Sequence, residues 1–111
     1  MTKFAPARVA ASAGRALWGE VSPGLRSVQF RATVEDIVLR FYYEGDPDDD
    51  ERDSMGFVGA EVAADVPDAM VTEGAIATTT DSEIECAEGW HTAYARKEPS
   101  LTAPRNKRSI A

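Results

Sequence analysis

An α+β fold, a two-layer sandwich of element order αββαββ with a mostly antiparallel four-stranded sheet and helices on one face, is predicted by three observations. Two adjacent stretches, residues 27–34 and 37–43, alternate apolar and polar residues with the period of a half-buried strand. Two other stretches, 7–17 and 47–66, repeat apolar residues at helical spacing. Two short segments, 75–79 and 90–96, again read as strands, so helices and strands are interspersed.

The first helix covers residues 7–17, where Val9, Ala13, Ala16 and Leu17 fall near one face. Ser22-Pro23-Gly24 is a turn signal, because the residue before a proline avoids helical angles, and Leu25 leads into the first strand. In that strand Val28, Phe30, Ala32 and Val34 alternate with Ser27, Gln29, Arg31 and Thr33. The second strand alternates Ile37, Leu39, Phe41 and Tyr43 with Val38, Arg40 and Tyr42. Glu35-Asp36 alone separates the two, which predicts a tight antiparallel hairpin.

Gly45 ends the second strand, and Asp46-Pro47 predicts a helix start with Asp46 as cap and Pro47 in the first helical position. Met55, Val58, Gly59, Val62, Ala63 and Val66 form the apolar face of this second helix, and Pro67 closes it. After Lys97-Glu98-Pro99 no periodic apolar face remains. Residues 1–98 are therefore expected to form a single α+β domain and residues 99–111 a disordered basic tail.

With 43% hydrophobic and 28% charged residues the chain has the composition of a folded domain. Its single cysteine, Cys86, precludes an intrachain disulfide, and the N-terminus lacks the apolar run of a signal peptide; the cytoplasm is the expected compartment. No stretch approaches the roughly 20 apolar residues needed to span a bilayer.

Charge is unevenly placed. Residues 1–34 have a balance of +4, residues 35–98 carry 18 of the 19 acids and a balance of −14, and residues 99–111 add +3, for a net −7. An acidic middle repels phosphates and attracts cationic partners, so nucleic acid is not an expected ligand.

The run from Glu44 to Asp53 places acids where a calcium loop would, with Asp46, Asp48 and Asp50 at the first, third and fifth places. The sixth place, which needs glycine, is Glu51, and the twelfth, which needs glutamate, is Phe57, so no metal is expected. Acids at a helix start satisfy exposed N–H groups and the helix dipole, which accounts for two or three of them. Seven acids in this run repel one another, a cost that a cationic partner would offset. Glu83, Glu85 and Glu88 add carboxylates, yet acids in an open hydrophilic run stay ionised and make poor general acids. One histidine, His91, and one thiol, Cys86, supply neither a zinc site nor a recognisable nucleophile motif, and no glycine-rich phosphate loop is present. No enzymatic activity and no cofactor are expected.

The stretches Arg15-Ala16-Leu17-Trp18-Gly19-Glu20-Val21-Ser22-Pro23-Gly24-Leu25-Arg26-Ser27-Val28 and Ile37-Val38-Leu39-Arg40-Phe41-Tyr42-Tyr43-Glu44-Gly45, followed by an acidic helix ending Ala60-Glu61-Val62-Ala63-Ala64-Asp65-Val66-Pro67, resemble small bacterial immunity proteins of contact-dependent growth inhibition systems. The resemblance spans about residues 15–98 and implies an antitoxin that binds a cognate toxin domain and blocks its active site. A nuclease toxin would carry a basic cleft that an acidic domain can fill. The expected toxin contacts are Glu44, Asp46, Asp48, Asp49, Asp50, Glu51 and Asp53, with Tyr42 as an anchor. The alternative is a non-catalytic regulatory or adaptor module, homodimeric through an exposed sheet edge, in which the acids serve solubility.

Overall fold

The computed structural model describes residues 5–98 and has the expected element order. Helix α1 (Pro6–Ala16) leads to β1 (Leu25–Ala32) and β2 (Asp36–Glu44), then to α2 (Asp49–Asp65), β3 (Met70–Thr78) and β4 (His91–Ala95). The fold is α+β, with the strands in spatial order β3-β2-β1-β4. The expected tail lies outside the described residues.

The sheet is mixed: two of its three pairings are antiparallel, in keeping with the mostly antiparallel sheet expected, and the third is parallel. β1 pairs antiparallel with both β2 and β4, but β3 runs parallel to β2, from Asp36 beside Met70 to Glu44 beside Thr78. The reason is the connection. A helix the length of α2 carries the chain back to the start of β2 before β3 begins, which is the geometry of a parallel crossover.

α1 begins with proline at its first turn, where the missing N–H is no loss, and buries Val9, Ser12, Ala13 and Ala16. Gly19, at φ 78°, supplies the left-handed residue that turns the chain away, and the Glu20 N–H donates to the Leu17 carbonyl at 2.9 Å. In the hairpin, Phe30 faces Leu39 and Val28 faces Phe41 on the side covered by the helices. The connection is three residues, 33–35, instead of the expected two, and Val34 is exposed at its tip. Thr33 closes it: its N–H donates to the Asp36 carbonyl at 2.8 Å and its hydroxyl accepts from the Asp36 N–H at 3.2 Å.

α2 starts two residues later than the sequence suggested. Its cap is Asp48, whose carboxylate accepts from the Glu51 N–H at 2.8 Å while the Glu51 carboxylate accepts from the Asp48 N–H at 3.0 Å, a complete capping box. Pro47 lies before the cap and is buried. Val58, Gly59 and Val62 form the buried face of α2, and Val66 follows at its end. One cluster joins Val58, Val62 and Val66 to Val9, Ala13 and Leu17 of the α1 segment and to Leu25, Val28, Phe30, Ile37, Leu39, Phe41 and Tyr43 of the hairpin. Each of the valine, leucine, isoleucine and phenylalanine side chains contributes about 1.5–3 kcal/mol by leaving water.

The second face of the sheet is covered over β1, which alternation alone did not indicate, while on β2 Arg40 stays exposed and Val38 and Tyr42 half-buried. Arg26 is the extra residue of a bulge in β1, and with Ser27 and Gln29 it is buried. Segment 79–90, which carries the chain from the β3 edge to the β4 edge, supplies the cover. Arg26 donates to the Thr79 and Ser82 carbonyls at 2.9 and 2.7 Å, and the Gln29 amide donates to the Glu85 carbonyl at 3.1 Å. The Arg40 guanidinium sits 4.0 Å from the centre of the Trp90 ring.

Candidate functional site

The acidic run divides into residues with structural partners and residues without. Glu44, at the end of β2, accepts from the Thr80 hydroxyl at 2.8 Å and pairs with Arg96 at 3.0 Å; these partners, Thr80 first, hold its carboxyl below the ordinary value. Asp48 and Glu51 form the capping box, and Glu51 also accepts from the Ser22 hydroxyl. Asp46, Asp49, Asp50 and Asp53 are exposed and make no side-chain hydrogen bond or ion pair among the described residues.

These acids cluster because α2 begins at the end of the sheet where β2 stops. Gly45, at φ 75°, turns the chain out of the strand, and its N–H donates to the Thr78 carbonyl of β3 at 2.8 Å. Beneath the helix start, Tyr43 is buried and its hydroxyl donates to the Glu51 carbonyl at 3.3 Å. Burial, reinforced by the Glu51 and Asp48 charges, pushes its phenol up to about 12. Tyr42 points to the other face of the sheet, level with Ser27 on β1 and Ile76 on β3, where it is half-buried. The structure thus brings the seven acids of the run to one end of the molecule and leaves Tyr42 on a different surface from the helices.

A neighbouring segment completes the acidic surface. Residues Gly19 to Pro23, which join α1 to β1, lie against the start of α2 and enclose with it an open notch of about 300 Å³. Glu20, Asp48, Asp50 and Glu51 supply its carboxylates, and Ser22 and Ser54 its hydroxyls. Sequence reasoning treated Ser22-Pro23-Gly24 as turn punctuation, and nothing in it linked Glu20 to acids some thirty positions away. Gly24 is the available signal: the Glu51 carboxylate approaches to 3.0 Å from where a Cβ would stand, so a small residue is favoured there.

The other reactive side chains are engaged elsewhere. The Cys86 thiol donates to the Trp90 carbonyl at 3.2 Å, and His91 stacks on Phe30 with ring centres 5.2 Å apart. Among the described residues no group of three or more His, Cys, Asp or Glu is placed to hold a metal ion, and no helix is long and apolar enough to cross a membrane.

A family model described as MafI2 immunity protein matches residues 6–98, which takes in both helices and all four strands. No curated protein matches the chain.

Proposed function

The chain belongs to the MafI2 immunity protein family, and from that premise we propose that it binds a cognate toxin domain and occludes its active site through the acidic surface at the start of α2. An immunity protein implies a toxin as partner and an inhibitory role without chemistry of its own. The observation that supports the acidic surface is the set of four exposed carboxylates, Asp46, Asp49, Asp50 and Asp53, which the fold does not use. Their mutual repulsion is relieved when a basic surface covers them, and their field speeds the encounter. A toxin acting on nucleic acid fits this reading best, since it must carry a cationic cleft for phosphates. Delivery of the toxin by cell contact and action of the immunity protein in the cytoplasm belong to the same proposal.

The test is coexpression in a bacterial host with a toxin domain sought among the genes beside this one. Growth should be restored by the wild-type chain and lost when Asp46, Asp49, Asp50 and Asp53 are all replaced by lysine, with the far-UV spectrum unchanged. Undiminished protection by the lysine variant would place the interface elsewhere.

A further inference from the structure

We infer that the toxin docks on an apolar patch formed by Trp18, Val21 and Phe57, and that the acid-lined notch beside it receives an arginine or lysine side chain of the toxin. This rests on the immunity reading and assigns it a specific surface. The helices cover one face of the sheet and segment 79–90 crosses part of the other, over Arg26 and Gln29, whereas the outer side of the helix layer is open to a partner. On that outer side Trp18 is 88% exposed, Phe57 47% and Val21 43%. A tryptophan so far out of the core has no packing role in the free protein, and tryptophan is the residue most enriched among interface anchors.

The three residues lie along one flank of α2. Arg15 reaches Asp65 near the end of α2, and Ser22 reaches Glu51 near its start. Residues 16–21 therefore run back along the helix over the roughly 20 Å that separate those two positions. Val21 and Ser54 line the notch together, and Phe57 is one turn beyond Ser54 on the same flank. Glu20 and Asp50 stand at the notch wall with no partner among the described residues, whereas Asp48 and Glu51 are held by the cap. An apolar patch beside a carboxylate-lined opening complements a partner with a cationic side chain next to an apolar one: the patch excludes water and the acids meet the charge.

Trp18 was discernible in the sequence on one ground. It follows the helix expected over residues 7–17 and precedes the strand that begins at Leu25, so neither apolar period claims it.

The probe is the purified toxin domain against which the wild-type chain protects. Trp18→Ala combined with Phe57→Ala should weaken binding roughly 30-fold or more. Glu20→Gln with Asp50→Asn should weaken it about threefold to tenfold and reduce its salt dependence. Val34→Ala with Met70→Ala removes exposed apolar side chains at the opposite end of the sheet and should leave binding within about twofold, an outcome that separates this patch from general hydrophobic loss. In a Trp90→Phe background Trp18 is the remaining tryptophan, and its emission should shift to shorter wavelength on complex formation. Wild-type affinity in the Trp18/Phe57 variant, or unmoved Trp18 emission in the complex, would overturn the inference while leaving the immunity role intact. Failure of the wild-type chain to protect against any toxin domain would remove both.

Discussion

Arg26 and Glu98 form a two-pronged ion pair, with Nε 2.8 Å from Oε2 and Nη2 2.9 Å from Oε1, that ties the bulge of β1 to the residues following β4. The guanidinium is buried and also donates to Thr78, Thr79 and Ser82, so each of its three nitrogens has a partner. Planar recognition of this kind is what arginine provides and lysine does not.

Replacement of Arg26 by alanine should lower stability by about 3–5 kcal/mol, because it leaves the Glu98 carboxylate and the carbonyls of segment 79–90 without their donor. Arg26→Lys should recover only part of this. Urea denaturation followed by circular dichroism measures both, and a loss below about 1 kcal/mol for Arg26→Ala would show that the network is peripheral.

Stability should fall as the solution is acidified below about pH 4.5. Hydrogen bonds from Arg26 hold the Glu98 carboxyl low, Thr80 and Arg96 do the same for Glu44, and Ser12 and Arg15 for Asp65. Groups with lowered folded values favour the folded state above their unfolded values, 4.5 for the glutamates and 3.8 for the aspartate, and lose that contribution as pH drops through the folded ones. Thermal melts from pH 7 to pH 2 should show this acid limb, and Glu98→Gln should flatten it.

Asp48 and its neighbours should behave differently although all are acids in one run. Asp48→Ala should cost about 1 kcal/mol through loss of the cap. Asp53→Asn should change stability by less than about 0.5 kcal/mol, since Asp53 holds nothing in place. Melting temperatures of the two variants, set beside their affinities for a toxin domain, separate the structural acids from those proposed to bind.

Leu39→Ala should cost about 2–5 kcal/mol, because Leu39 is fully buried opposite Phe30 in the middle of the core. Chemical denaturation provides the comparison with wild type.

Most of the core was legible because its residues obey simple periods. Val9, Ala13, Ala16 and Leu17 recur at helical spacing and Ile37, Leu39, Phe41 and Tyr43 at strand spacing, and all eight are buried. What escaped was set by partners distant in the chain. Arg26 reads as a solvated charge until Glu98, 72 positions on, supplies its carboxylate. The first half of β3 was hidden because Thr72, Glu73 and Gly74 break the apolar pattern, which an edge strand with one neighbour tolerates. In the candidate site the acids of α2 were evident, but their division into cap and free carboxylates depended on where the helix begins. Glu20 and the notch depended on a fold that brings residues 19–23 beside it.

The order in which the chain is synthesised gives the Arg26–Glu98 pair a further meaning. Residues 6–66 contain every group assigned here to the toxin contact, and at about 5–20 residues per second they leave the ribosome seconds before Glu98 does. Until then β1 lacks its second neighbour and Arg26 its counter-ion, so the central strand of the sheet is completed by the last part of the domain to appear. A nascent chain therefore carries the residues proposed for the toxin contact before β4 and Glu98 exist to complete the sheet beneath them, and the closing of this one ion pair marks the joining of the two ends of the fold.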